Sequence, residues 1–103
     1  MNVFDLTGEV AVVTGAQGKL GPIWVEALLA AGASVFALDR PGIAASAEFE
    51  RLAARYGPGR LTPASADVCR RAELEAALEQ CRQRFGLPTI LVNNAGIDAP
   101  PSA

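Results

Sequence analysis

The strongest structural signal in the sequence is the segment EVAVVTGAQGKLG, residues 9–21. Its first part, from Glu9 to Thr14, is a β-branched apolar run that predicts a buried strand. A turn with glycines at positions 15, 18 and 21 follows. Pro22 then stands where the first turn of a helix accepts proline, because no N–H is needed there. The segment therefore predicts a strand that leads through a tight turn into a helix.

Outward from this segment, short apolar runs alternate with helical patterns. Further strands are predicted at Ser34 to Asp39, Arg60 to Ala66 and Thr89 to Asn93, and helices from Pro22 until Gly32, from about Ile43 to Tyr56, and from Arg71 to Phe85. Pro63 indicates an irregular or edge position for the third strand. The order βαβαβαβ with short connections predicts an α/β domain with a parallel sheet and right-handed crossovers.

Composition limits the classes of protein to which the chain can belong. Its 103 residues suffice for one domain, and a hydrophobic share of 50% favours strands buried on both faces. Nine Lys and Arg against eleven Asp and Glu give a net charge of −2, which disfavours nucleic acid and anionic membranes as partners. The sequence has no histidine, which excludes a Ser-His-Asp triad, a Cys-His pair and histidine metal ligands in this chain.

The two cysteines, Cys69 and Cys81, match neither a CxxC motif nor a disulfide scaffold. We expect reduced thiols in a cytoplasmic protein and no metal site. Cys81 shares one apolar face of the third helix and is expected to be a packing residue; the other members of that face are Leu74, Ala77, Leu78 and Phe85. The amino-terminal residues include two acids and no basic region, so no signal peptide is predicted, and no segment is suited to span a bilayer.

The glycine turn, residues 14–21, is the first candidate for binding chemistry. Glycines let the backbone turn sharply and approach a ligand where a Cβ would collide. The N–H groups and the positive dipole end of the following helix face the same place, which suits a pyrophosphate. The alternative is a tight strand–helix connection without a ligand. Because the turn lies between a strand and a helix of a βαβ unit, we favour the binding site.

Asp39, at the end of the second strand, is the second candidate. In a dinucleotide-binding fold, a carboxylate here accepts hydrogen bonds from the adenosine ribose. It also repels a 2′-phosphate, by on the order of 4 kcal/mol for a like-charge pair at about 4 Å and an effective dielectric of about 20. Lys19 and Arg40 act in the opposite direction, but exposed charge pairs contribute about 1 kcal/mol or less. The residues therefore favour NAD over NADP; the alternative for Asp39 is a solvated turn residue.

Four features together resemble the amino-terminal part of a short-chain dehydrogenase/reductase. They are the lead-in LTGEVAVVTG at residues 6–15, the turn TGAQGKLG at residues 14–21, the pair Asp67-Val68, and the stretch NNAG at residues 93–96. The resemblance implies a Rossmann-type parallel sheet with strand order 3-2-1-4 and helices on both faces, ending after the fourth strand. Residues 1–103 would then form the amino-terminal part of a single NAD(P)-binding domain.

The resemblance also implies roles for individual residues. Asp39, with Arg40 beside it, would face the adenosine ribose, and Asp67 and Val68 would face the adenine. The residues implied at the rest of the cofactor are Gly15, Gln17, Gly18, Lys19, Leu20 and Gly21 in the glycine turn, and Asn93, Ala95 and Gly96 after the fourth strand. Asn94 would brace its strand against the first strand near Thr14.

Two departures from the family pattern matter. Lys19 stands where the family's commonest form, TGxxxGxG, has its second glycine, and the spacing TGxxGxxG resembles the extended subgroup. A lysine there is either solvated or turned toward a phosphate, including a 2′-phosphate. The family's catalytic Ser, Tyr and Lys are not matched either, because Tyr56 is followed four places on by Arg60 and lies on the apolar face of its helix.

The function implied for the complete protein is hydride transfer between nicotinamide and a secondary alcohol or its ketone, in a homo-oligomer. The chain of 103 residues is expected to be inactive by itself. One alternative is a non-catalytic dinucleotide-binding fragment or pseudoenzyme half, which would associate through its uncovered fourth strand. A methyltransferase-type α/β domain is a second alternative, although it does not account for NNAG.

Overall fold

The computed structural model describes residues 5–94. Strands and helices alternate in the order β1 (Val10–Thr14), α1 (Gly21–Ala30), β2 (Ser34–Asp39), α2 (Ala47–Tyr56), β3 (Leu61–Ser65), α3 (Arg71–Arg84) and β4 (Ile90–Asn93). The four strands form one parallel sheet in the order β3-β2-β1-β4. The predicted α/β class and strand order are therefore confirmed.

The two central strands are buried on both faces of the sheet. All five residues of β1 are buried, and so are the four middle residues of β2. In register, Val12 of β1 lies between Phe36 of β2 and Leu91 of β4. Strands covered on both faces carry continuous apolar runs, which explains the strong signal at residues 10–14.

The outer strands do not share this double burial, which agrees with the edge position that Pro63 indicated for the third strand and with the uncovered fourth strand. Residues of β3 and β4 alternate between more and less exposed positions. Leu91 is 68% exposed, because the face of β4 that carries it is left open by the helices of the described chain. Pro63 lies in β3, at the sheet edge, where a missing N–H disrupts no ladder on the outer side, as its sequence position predicted.

Helices cover both faces of the sheet and bury a separate core on each. On one face α1 and α2 contribute Val25, Leu29, Phe49 and Leu52 to a core with Ala11, Val13, Val35 and Ala37. On the other face α3 contributes Ala77 and Cys81, which pack with Val10, Val12, Phe36 and Leu38. The apolar face predicted for the third helix is confirmed, since Leu74, Leu78 and Phe85 pack against the same core.

The largest difference in element boundaries is at the start of α2. The helix begins at Ala47 rather than near Ile43, because Ser46 is its N-cap and accepts a hydrogen bond from the Phe49 N–H on its Oγ at 3.1 Å. The segment between Arg40 and Ser46 is therefore a loop at the end of the sheet where the strands finish.

Candidate functional site

The candidate residues meet at the carboxyl ends of the strands. Thr14 ends β1, Asp39 ends β2 and Asn93 ends β4, and parallel pairing brings these ends to one edge of the sheet. Ligands of open α/β sheets bind at this edge, where neighbouring connections leave to opposite faces. Here β1 leads to α1 on one face, while α3, on the other face, leads into β4.

The glycine turn is tied closely to the sheet. Gly15 has a φ of +64°, in the left-handed region, and its carbonyl accepts a hydrogen bond from the Gly18 N–H at 3.0 Å. The Ala16 N–H donates to the carbonyl of Leu38 in β2 at 3.2 Å, and Ala16 is fully buried. The turn therefore has one defined path over the ends of β1 and β2.

Gly21 has a packing role in this turn. A Cβ built on it would lie 2.6 Å from the Gly15 carbonyl oxygen and closer still to the carbonyl group of Ala16. Contacts this short with backbone atoms do not occur for real Cβ atoms. Glycine at this position thus allows the first turn of α1 to lie directly against the preceding backbone.

The amino terminus of α1 is not capped by a side chain. Leu20 is the N-cap residue and supplies no side-chain hydrogen bond, and no acidic residue lies in the first turn. The partial positive charge of the helix end is therefore not neutralised by α1 itself. Leu20 itself is 44% exposed, whereas Gly21 and Pro22 after it are buried. A helix end of this kind is suited to an anion.

Asp39 does more than the sequence indicated. Its Oδ2 accepts the Gln17 N–H of the glycine turn, and its Oδ1 accepts the Arg40 N–H, each at 2.8 Å. Asp39 therefore fixes the turn to the end of β2 and is not only a solvated turn residue. Each carboxylate oxygen can accept a second hydrogen bond, so the group remains able to bind a ribose hydroxyl.

Asp67 and Val68 lie beyond the end of β3 and lead into α3. The Asp67 N–H donates to Oε1 of Glu73 at 2.9 Å, and Oδ1 of Asp67 accepts the Cys69 N–H at 3.0 Å. Val68 packs against the core on the α3 face. The carboxylate of Asp67 thus orders the turn that precedes α3, and Asp67 is half-exposed at the sheet edge that carries the other candidates.

The two asparagines after β4 have different environments. Asn93 is exposed, and its Oδ1 accepts the Thr14 hydroxyl at 2.9 Å. Asn94 is buried, and its Nδ2 donates to the Gly15 carbonyl at 3.1 Å, which ties β4 to the end of β1 in the way the resemblance implies. Its Oδ1 is buried without a hydrogen-bond partner in the described chain. Ala95 and Gly96, implied at the cofactor, lie outside the described residues.

A pocket of about 450 Å³ lies beside the glycine turn. It is lined by Gln17, Gly18, Lys19, Pro22, Ile23, Ser46 and Glu48. Oε1 of Gln17 accepts the Ser46 N–H at 3.2 Å and so joins the turn to the start of α2. Lys19 was predicted at the site from the sequence, whereas Ser46 and Glu48 were not. A serine before a helical pattern is an N-cap signal and would have placed the start of α2 here.

Three further properties of residues 5–94 concern metal ligands, membrane spans and thiols. No group of three or more His, Cys, Asp or Glu side chains there could hold a metal ion. No helix in this range is long and apolar enough to cross a membrane. Both cysteines are free, with Cys69 exposed and Cys81 buried, and burial raises the pKa of the Cys81 thiol above its usual value.

A parallel sheet whose first strand leads through a glycine turn into an uncapped helix defines the class of Rossmann-type α/β proteins. The family model for short chain dehydrogenases matches residues 9–103. The chain belongs to the short-chain dehydrogenase/reductase family.

Relatives of known name agree with this membership. The 3beta-hydroxysteroid dehydrogenase 2 of Eggerthella lenta is 39% identical over 92 residues, which are 89% of this chain and 35% of the relative. The 3-oxoacyl-[acyl-carrier-protein] reductase FabG of Escherichia coli is 39% identical over 93 residues, 90% of this chain and 36% of the relative. The chain thus spans about a third of the length of the curated relatives that it matches.

Solved structures resemble the fold as well. A short chain oxidoreductase from Pseudomonas aeruginosa PAO1, solved with NADPH and described as having an atypical catalytic center, has a TM-score of 0.79 and 41% identity over 90% of this chain and 36% of its own. The 3-ketoacyl-(acyl-carrier-protein) reductase from Brucella melitensis, solved with NADH, has a TM-score of 0.69 and 32% identity over 84% of this chain and 34% of its own.

Proposed function

We propose that the chain binds a nicotinamide dinucleotide, and that the complete protein transfers a hydride between this cofactor and a secondary alcohol or its ketone. One contact carries the proposal, the 2.8 Å hydrogen bond from the Gln17 N–H to Asp39. It holds a ribose-binding carboxylate against a turn suited to a pyrophosphate. The ribose and the pyrophosphate are neighbours in a dinucleotide, so a single ligand would contact both the carboxylate and the turn.

The chain's own residues bind and orient the cofactor. Backbone N–H groups at the end of the glycine turn and the start of α1 would face the pyrophosphate, and Gly21 lets the start of α1 pack against the Gly15 and Ala16 backbone. Asp39 would accept the ribose hydroxyls, with Arg40 beside it. The residues proposed for the remainder of the cofactor are Gly15, Gly18, Lys19 and Leu20 in the turn, Asp67 and Val68 at the adenine, and Asn93, Ala95 and Gly96 after β4. When bound, the cofactor supplies the hydride chemistry.

NAD is the proposed cofactor in preference to NADP. Solved relatives include one with NADH and one with NADPH, so family membership leaves the choice to this chain's residues. Asp39 holds its negative charge where a 2′-phosphate would lie, and its contacts with Gln17 and Arg40 keep the carboxylate in place. The 2′-phosphate would therefore be repelled by a carboxylate that is held in place, which favours the nucleotide without that phosphate, NAD.

A comparison of NADH with NADPH tests this proposal. Titration followed by nicotinamide fluorescence is expected to show tighter binding of NADH. Asp39→Asn removes the charge and keeps an acceptor for the Gln17 N–H, so it should bring the two affinities together. Asp39→Ala also removes the ribose acceptor and should weaken both. Equal affinities in the unchanged protein, or tighter NADPH, would contradict the preference, and binding of S-adenosylmethionine instead of NADH would contradict the proposal as a whole.

The described residues are proposed to bind the cofactor without performing the chemistry. Tyr56, the single tyrosine of the sequence, ends α2 and lies at the amino ends of the strands. A strand of five residues spans about 16 Å, so Tyr56 lies at the opposite end of the strands from Asp39. Its ring instead packs against the guanidinium groups of Arg55 and Arg60, whose Cζ atoms lie 5.3 and 5.5 Å from the ring centroid. Purified chain mixed with NADH and a panel of ketones should therefore give no turnover.

For the alternative of a non-catalytic dinucleotide-binding unit, the relevant feature of residues 5–94 is the open edge of β4. β4 is hydrogen-bonded to β1 on one side, and Leu91 and Leu87 beside it are 68% and 71% exposed. An apolar strand edge of this kind pairs readily with another strand, so we propose that the chain forms a homo-oligomer through β4. The free thiols of Cys69 and Cys81 support the proposed cytoplasmic location.

A further inference from the structure

The pocket beside the glycine turn lies next to the candidate ribose site. Gln17 belongs to both places, because its N–H is bonded to Asp39 and its side chain lines the pocket. The opposite wall is the start of α2, where Ser46 donates its N–H to Oε1 of Gln17 and Glu48 faces the same space. The pocket therefore adjoins the candidate ribose site through Gln17, and a group that extended from a ribose at Asp39 toward Gln17 would approach it.

The charges around the pocket oppose one another. Lys19 lines it from the turn and Glu48 lines it from α2, and both side chains are exposed. No ion pair between them is formed, since their charged atoms are not within 4.0 Å of each other in the described structure. Glu48 and Glu50 are the acidic residues in the first turn of α2, so they neutralise the positive end of that helix.

We propose that Glu48 is a second specificity-determining residue that selects against a 2′-phosphorylated dinucleotide. The inference rests on the proposed function, since it concerns the choice between two cofactors of that site. A 2′-phosphate displaced from Asp39 would meet the Glu48 carboxylate across the pocket, at a helix end whose positive charge is already compensated. Asp39 rejects the phosphate at the ribose, and Glu48 makes the adjacent space unfavourable for it.

Glu50 provides a matched control for this proposal. It lies in the same helical turn as Glu48, is likewise exposed and contributes the same charge to the helix end, but it does not line the pocket. Glu48→Gln and Glu50→Gln therefore change net charge equally, and both remove a carboxylate from the first turn of α2. Only the first changes the charge inside the pocket.

The experiment measures the dissociation constants of NADH and NADPH for the full chain and its variants, with circular dichroism to confirm that each variant is folded. Glu48→Gln should tighten NADPH binding by about three- to tenfold at low salt and leave NADH within about twofold. The gain should shrink as ionic strength rises, because both charges are exposed. Glu50→Gln should leave the ratio of the two constants unchanged, and Lys19→Gln should weaken NADPH.

The outcomes separate this inference from the proposal on which it rests. If the unchanged chain binds neither nucleotide, the proposed function fails and the inference fails with it. If NADH binds and responds to Asp39→Asn, but Glu48→Gln leaves the ratio unchanged, only the role of Glu48 is refuted. An equal shift in Glu48→Gln and Glu50→Gln would also refute it, since the effect would then come from net charge and not from the pocket.

Discussion

Replacement of Gly21 by alanine should destabilise the protein severely. The added Cβ would lie 2.6 Å from the Gly15 oxygen, where ordinary contacts are 3.4 Å or longer, and it would overlap the Ala16 carbonyl more strongly still. Both sides of the contact are backbone, so no side chain can rotate to relieve it. The start of α1 would have to move by about 1 Å, and Val25, which is fully buried, would lose part of its packing.

The expected cost is about 3 kcal/mol, at the upper end for overpacked sites. For a domain of this size it corresponds to a fall in Tm of about 12–24 °C. Urea and thermal unfolding followed by circular dichroism measure both values. Gly59→Ala is the control, because nothing lies within 4 Å of its Cβ and its φ is outside the left-handed region; it should be neutral or stabilise by up to about 1 kcal/mol. A Tm of Gly21→Ala within about 2 °C of the unchanged protein would refute the packing argument.

Four further outcomes are expected. Arg60 donates to backbone carbonyls at and beyond the end of α1, at 2.8 Å, so Arg60→Met should lower the free energy of unfolding by about 1–2 kcal/mol. Arg71→Met, which loses one exposed ion pair, should lower it by about 0.5 kcal/mol or less. Equal costs for the two variants would contradict this prediction. Cys69 should react with a thiol reagent in the native protein and Cys81 only after unfolding. Burial raises the pKa of the Cys81 thiol in the folded state, so the thiol of the unfolded chain ionises at lower pH. The free energy of unfolding should therefore fall as the pH rises above about 8.5. Cys81→Ala should reduce this pH dependence in urea unfolding. Light scattering should show self-association that Leu91→Lys reduces, and a stable monomer at high concentration would contradict pairing through β4.

The elements themselves follow closely from local sequence patterns. β2 occupies Ser34–Asp39 as predicted, because Gly32 precedes it and Pro41-Gly42 follow it. α3 differs from its prediction by one residue, at the end that Gly86 and Pro88 mark. The start of α2 was harder to predict from the sequence, because the helical pattern was taken to begin near Ile43, outside the helix. Only the Ser46 side chain, which accepts the Phe49 N–H, sets that boundary.

Burial on both faces of the sheet is confined to the two central strands. A high apolar share predicted strands buried on both faces, and β1 and β2 have that burial. β3 and β4 do not, because a strand's second face is covered only when a helix packs over it. Leu91 has the residue type of a core position and yet is 68% exposed. Burial at the sheet edges depends on the neighbouring layers and not on the strand's own composition.

The amino-acid order was enough to establish the alternation of strands and helices, the glycine turn and the acid at the end of β2, since each is a local pattern within a few residues. The contacts that build the site could not be predicted from local patterns. Gln17 meets Asp39 across 22 positions and Ser46 across 29, and Thr14 meets Asn93 across 79. Such distant groups meet only because parallel pairing and right-handed crossovers bring the carboxyl ends of the strands to one edge. That geometry made Asp39 a support of the turn and placed Glu48 across the pocket from Lys19.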